Sequence, residues 1–209
     1  ASVLSVEKQT KNVQPPRLYD LTTLQRECNR IYGYTAQQTL DYLQSLYEKK
    51  LLTYPRTDSQ YLTEDMQATA TSLILWLRDN MPFGKGCLGE PDIDRVTDGS
   101  KVTDHHAIIP TVEIARTDLS VLPSGERDVL TLIAMRLLCA TGQTHRFEAV
   151  TAVLDCAGHP FTAKGKTVLQ AGWKEIERLY RMGLKQAELE KEDPADAALP
   201  ELTQGQTFE

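Results

Sequence analysis

No stretch of this 209-residue chain approaches 18 consecutive apolar residues, so no segment reads as a membrane-spanning helix. Cysteine is sparse. Cys28, Cys87, Cys139 and Cys156 lie far apart without a C-x-x-C pair, which reads as reduced cytosolic thiols and argues against a zinc site built from them. Cys28 and Cys139 fall in helical patterns and are expected in the core. No G-x-x-x-x-G-K-[S/T] loop is present to cradle a nucleotide, so chemistry driven by ATP is not indicated. Residues 1–8, Ala-Ser-Val-Leu-Ser-Val-Glu-Lys, lack the basic start and apolar core of a signal peptide. They also lack a starting Met, and the expectation is an excised piece of a longer chain. Positive charge is not in excess either: the net charge is −6, which argues against a simple nucleic-acid binder.

The distribution of charge changes that view. Residues 186–209 hold seven acids and one base, which accounts for the whole −6, while the other 185 residues carry 22 acids and 22 bases. The acidity is local, so a DNA groove elsewhere is neither excluded nor supported. With 41% hydrophobic residues, the chain has enough apolar content for a core, arranged as one large domain or two small ones.

In chain order, residues 1–12 suit a strand or extended connector, and Pro15-Pro16 punctuates it. Thr22-Thr23-Leu24-Gln25 has capping-box spacing, the Leu24, Cys28, Ile31 pattern is helical, and Gly33 is a stop. Thr35-Ala36-Gln37-Gln38 repeats the capping signature ahead of a stripe of Leu40, Leu43, Leu46, Tyr47 and Leu51. Two such helices and an extended segment fit either a helix-turn-helix with a wing or an ordinary helical hairpin. Thr63 can cap a third helix over about 64–79. Residues 82–103 read as a long irregular excursion, and 124–141 as a strong helix ended by Gly142. Beyond it the period becomes strand-like. Phe147–Cys156 alternates, Gly158-His159-Pro160 turns, and Phe161–Leu169 returns. Trp173–Tyr180 is too short to assign, 181–198 reads as a polar mobile loop, and Leu199–Phe208 as a further strand. A helical block of about 17–145 is thus flanked by β segments.

The stretch that organises this chain is Leu51-Leu52-Thr53-Tyr54-Pro55-Arg56-Thr57-Asp58-Ser59. Pro55 forbids Tyr54 a helical backbone, so the phenol is presented from an extended end. Arg56 lies two residues on, the same-face spacing of an extended segment. A phenol is a nucleophile and a guanidinium forks onto phosphate oxygens, so the pair suits attack on a phosphate. A Tyr and an Arg on a turn after a helix is the plainer reading of the same residues. A tyrosine phenol is ordinarily about one part in a thousand ionised at neutral pH, an offset of about 4 kcal/mol that a nearby guanidinium lowers. Arg56 has no proton to release, so it cannot protonate a leaving hydroxyl. His105 could carry a proton. As a loop pair, His105-His106 could equally have one ring buried and hydrogen-bonded. Asp58 and Asp104 are isolated from other ligand types, and no metal site is expected.

Thr53–Ser59, preceded by Gly33-Tyr34-Thr35-Ala36-Gln37-Gln38-Thr39-Leu40 and followed by Asp104-His105-His106-Ala107-Ile108-Ile109-Pro110-Thr111, closely resembles the central region of the type IA DNA topoisomerases. Y-P-R-T-D-S with H-H-A-I-I-P-T is similar to the bacterial topoisomerase III branch. The topoisomerase I branch more often has Met in place of Pro55 and a charged residue in place of His106. The resemblance runs over about residues 1–180. It implies a multi-domain α and β fold, in which a helical, tyrosine-bearing domain with winged-helix/CAP-like elements is inserted into a β-rich arch. On that pattern 1–20 is the first part of the arch, 21–146 the helical domain, and 147–209 the truncated second part.

By resemblance Tyr54 is the nucleophile that keeps the 5′-phosphate, Arg56 stabilises the scissile phosphate, and His105 contacts phosphate near the break. Thr22, Thr23 and Gln25 match the S/T-T-L-Q element near the bound strand, and Thr57, Asp58, Ser59 and His106 are further DNA-contact candidates. The family's Mg²⁺ cluster and catalytic lysine belong to an N-terminal toprim domain that nothing in this chain resembles. The resemblance therefore implies Mg²⁺ in the full-length enzyme, none in this fragment, a preferred single-stranded DNA partner, the toprim domain as a second partner, no membrane, a cytoplasmic, nucleoid-associated location, and an isolated fragment that is inactive. The alternative is a non-catalytic winged-helix DNA-binding module. A tyrosine recombinase fits less well, because its chemistry needs several basic residues around the phosphate.

Overall fold

Twelve residues at the start of the chain, mostly exposed and with Val3 alone buried, form β1 (Ser2–Val13), the first of three strands in an antiparallel sheet of order β1-β2-β3. In a computed structural model, which describes residues 1–184 and 198–208, the chain divides into two compact units. One comprises Ala1–Gln14, Thr144–Gly172 and Arg181–Glu209; the other comprises Pro15–Gln143 and Trp173–Tyr180. The acidic stretch 185–197, and with it most of the expected mobile loop, lies outside the described residues. No helix among the described residues is long and apolar enough to cross a membrane.

In the first unit β2 (His145–Cys156) pairs with β1 from Ser2↔Asp155 to Val13↔His145, with a bulge between Val3 and Ser5. It pairs with β3 (His159–Gln170) from Arg146↔Gln170 to Cys156↔His159. The hairpin turns at Ala157-Gly158, with φ of 53° and 84°, not at Gly158-His159-Pro160 as the punctuation predicts. A two-residue turn with both φ positive matches strand twist. Pro160 is then free to sit in β3, an edge strand where a missing N–H costs no ladder bond. The bulge between Val3 and Ser5 brings Val3 and Val6, three residues apart, to the face of Ala152 and Leu154, and Leu199 and Leu202 cover them. The expected strand at 199–208 is instead a single Ser2↔Thr207 bridge around a turn at Gly205, where φ is +85°. It is fastened by Val3 N–H to Gln206 O at 2.8 Å.

The second unit is helical: α1 (Leu21–Tyr32), α2 (Ala36–Glu48), α3 (Gln67–Asn80), α4 (Ser124–Ala140) and the start of α5 (Trp173–Gly183). The first capping box is Asp20 with Thr23, not Thr22 with Gln25. Asp20 Oδ1 accepts from Thr23 N at 2.6 Å, and an Asp with extended φ/ψ two residues upstream outcompetes the threonine. Gly33 (φ 73°) ends α1 in the left-handed conformation a side chain resists, and Thr35 with Gln38 boxes α2 as the spacing predicts. A short 3-10 turn, Glu64–Met66, precedes α3, and Thr63 makes no side-chain cap. The excursion at 82–103 contains only short 3-10 turns. Helix α4 is buried on nearly every side and packs against α2 and α3, which makes it the axis of this unit. One charge enters there: Glu126, 6% exposed, accepts from Ser45 Oγ at 2.8 Å and from Lys49 Nζ.

Candidate active site

Three separate segments are tied into one platform by backbone hydrogen bonds within the helical unit. Residue pairs Tyr19↔Ile108 and Leu52↔Pro110 form isolated bridges. Thr53 N–H donates to Ile109 O at 3.1 Å, Ala107 N–H to Tyr61 O at 2.9 Å, Thr111 N–H to Leu51 O at 3.0 Å, and Leu21 N–H to Thr57 O at 3.1 Å. Thr53 Oγ1 adds a second tie, donating to Ala107 O at 3.1 Å and accepting from Ile109 N at 3.0 Å. The buried side chains Leu52, Ile108 and Ile109 anchor this platform in the core. Helix α2 has already ended at Glu48, with Lys50 at φ 62°, rather than running on to Pro55; the segment that follows is extended and held by single bridges, and Pro55 keeps only Tyr54 out of a helical backbone.

On this platform Tyr54 is half-buried, with its ring between two others. Its centroid lies 4.3 Å from the His105 ring and 5.4 Å from Tyr47, the latter edge-on. Arg56 and His105 are exposed and line one open cavity of about 410 Å³ with Asp20, Thr22, Asp58 and Asp104. Tyr54 does not line that cavity; it adjoins it through His105. Three carboxylates and one guanidinium leave the cavity acidic, and no ion pair joins Asp58 to Arg56 among the described residues. None of the described His, Cys, Asp and Glu side chains forms a group of three that could hold a metal ion. The described residues therefore offer no group that fits a Mg²⁺ site.

The remaining candidates divide by what their polar atoms meet. Thr22 is exposed at the cavity, and Thr23 is engaged in the α1 capping box. Gln25 Nε2 donates to Ala36 O at 3.0 Å. Thr57 is 8% exposed; its hydroxyl donates to His105 O at 2.6 Å and accepts from Ser59 N at 3.1 Å. Ser59, 5% exposed, donates to Lys101 O at 2.9 Å. Asp58 is exposed, and His106 is half-buried with Nδ1 2.9 Å from Ala107 O. Two residues near the site carried no such assignment in the sequence reading: Tyr47, read as part of a core stripe yet 39% exposed, and Asp20, whose Oδ2 accepts from Gln60 Nε2 at 2.9 Å. Only the position of Tyr47 next to the last residue of α2 could have signalled its reach to Tyr54.

Comparison with known proteins places this arrangement in a family. The DNA topoisomerase family profile matches residues 1–209. DNA topoisomerase 3 of Bacillus cereus (strain ATCC 14579) is 36% identical over 213 residues, and that of Bacillus subtilis (strain 168) is 38% identical over 214. Each alignment covers all of this chain and 28% of the relative, so the chain spans less than a third of the curated proteins it matches. The structure of full-length topoisomerase I from Thermotoga maritima superposes with a TM-score of 0.70 at 22% identity, covering 98% of this chain and 32% of that one. That likeness supports the mixed α and β fold with its helices and three-stranded sheet. The chain belongs to the type IA DNA topoisomerases, in their topoisomerase III branch.

Proposed function

We propose that Tyr54 is the nucleophile with which the longer protein opens one DNA strand. The phenolic oxygen bonds to a backbone phosphorus while the bond from phosphorus to the 3′-oxygen breaks. The phenol gives up its proton, the departing 3′-oxygen takes one up to become a hydroxyl, and the 5′-phosphate stays on Tyr54. A second strand passes, and the 3′-hydroxyl reverses the exchange, so the bond energy is conserved without ATP. The observation that carries this reading is the 4.3 Å approach of the Tyr54 and His105 rings on a platform that also presents Arg56. Arg56 would fork onto the scissile phosphate, and His105 would contact phosphate beside the break.

Thr22, Asp58 and His106 are proposed strand contacts. Thr23, Gln25, Thr57 and Ser59 act chiefly by holding the platform, since their polar atoms already meet protein partners. Mg²⁺ would be held by polypeptide outside this chain, in a toprim domain, and no step here is routed through it. The helical unit would be the tyrosine-bearing domain, with its winged-helix-like α1–α2 pair, and the sheet unit part of the arch. A single-stranded segment is the proposed partner, as the family resemblance implies.

Tyr54→Phe in the longer protein tests the assignment. Covalent protein–DNA adducts should vanish while binding of a single-stranded oligonucleotide persists. The non-catalytic winged-helix alternative predicts no adducts in either protein and tight duplex binding.

A further inference from the structure

A second groove of about 530 Å³ lies on the other side of the first turn of α1, lined by Arg17, Arg26, Arg30 and Arg136 with Tyr19, Glu27 and Gln60. Four guanidiniums face one carboxylate there, in a chain whose net charge is −6. Glu27 is already shared, 2.6 Å from Arg30 and 3.8 Å from Arg136. Arg136 also donates to Tyr19 Oη at 2.9 Å and lies 4.3 Å over that ring, yet its buried Nε has no hydrogen-bond partner. Arg26 is exposed and has no ion pair or hydrogen bond among the described residues.

The groove adjoins the Arg56–His105 cavity. Thr22 lines the cavity and Thr23 the groove, and the Gln60–Asp20 hydrogen bond bridges the boundary between them. The cavity is acidic and the groove basic, so a polyanion would draw its affinity from the groove. Ring stacking is not on offer there. Tyr19 is 2% exposed, and the Tyr61 ring is taken by Arg17 at 5.3 Å and Lys101 at 4.5 Å.

We infer that the Arg17/Arg26/Arg30/Arg136 groove holds the sugar–phosphate backbone of the single strand that continues out of the Arg56–His105 cavity, without reading its bases. The inference rests on the proposed cleavage site but is tested separately from it. Binding of a fluorescent single-stranded oligonucleotide to the 209-residue chain is measured across salt concentrations. Each phosphate contact on a single strand adds about 0.7 to the slope of log affinity against log salt. The double variant Arg26→Gln/Arg30→Gln should therefore lose about 1.4 of slope and bind on the order of tenfold more weakly. Circular dichroism checks that it folds, and Arg116→Gln, an exposed residue on another turn, serves as the control that changes neither quantity.

Equal slopes and affinities for wild type and double variant would overturn the inference. So would a chain that binds no strand at all while the longer protein still forms adducts on Tyr54. Unchanged strand binding with lost association to the rest of the polypeptide, supplied in trans, would identify the groove as a protein dock and equally overturn it. Loss of adducts in the longer Tyr54→Phe protein bears only on the nucleophile, since that change leaves the salt slope untouched.

Discussion

Tyr54 has its reach set by neighbours rather than by its own backbone alone. His105 and Tyr47 bracket its ring, and Thr57 fixes His105 through a 2.6 Å bond to the His105 carbonyl. Thr57→Val keeps the shape but removes that donor and leaves Ser59 N–H without its acceptor. A buried donor left unpaired costs about 1–3 kcal/mol. Urea unfolding should show that loss, and adduct yield in the longer protein should fall with it. A variant of unchanged stability and yield would mean that Thr57 does not hold the site. Tyr54, Arg56 and His105 were legible as residue types in a motif. The hydrogen bonds of Thr57 and Ser59 to the protein backbone were not, because a hydroxyl beside a candidate DNA-contact motif looks the same whether it faces a phosphate or a carbonyl 48 positions away.

At the scale of elements, local chemistry decides boundaries that periodicity leaves loose. The start of α1 moves to Asp20 because a carboxylate caps better than a threonine, and the β2–β3 turn moves to Ala157-Gly158 because the hairpin needs two positive φ angles. Ala157 bears a Cβ at φ 53°, a conformation that costs an L-residue roughly 1–2 kcal/mol. Ala157→Asn should raise stability by about 1 kcal/mol, read as a higher urea midpoint with an unchanged slope. A lowered midpoint would show that the turn is not of this kind. Helix α2 was readable because its apolar spacing and capping box agree, and α4 because a dense apolar run follows Pro123, although no side chain caps it. Residues 199–208 were not: the segment reads as a further strand, yet the turn at Gly205 limits the pairing to one bridge.

For the whole molecule, burial places several acidic hydrogens out of reach of base. It pushes the Cys28 thiol up to about 12 from 9.0, and raises Cys139 and the phenols of Tyr19, Tyr32 and Tyr180 well above their ordinary values. Tyr34 is raised by burial and by its bond to Asp128. In each case the folded state keeps its proton where the unfolded state loses it. Stability is therefore full below about pH 9 and falls as pH rises, by up to about 1.4 kcal/mol per pH unit for each group ionised only when unfolded. Thermal melting from pH 8 to 11 should show a steepening drop beyond pH 9 to 10. A flat profile to pH 11 would contradict these burials. The acidic run at 186–209 was legible in the sequence, but the basic groove was not: the dispersed positions 17, 26, 30 and 136 give no run, and folding alone gathers them.

The most direct test is to stop the longer protein with denaturant during reaction on a single-stranded oligonucleotide, digest both components, and sequence the adduct by mass spectrometry. The account predicts one modified peptide, carrying a nucleotide joined through its 5′-phosphate to the Tyr54 oxygen. An adduct on another residue, or a 3′-phosphate linkage, would contradict it.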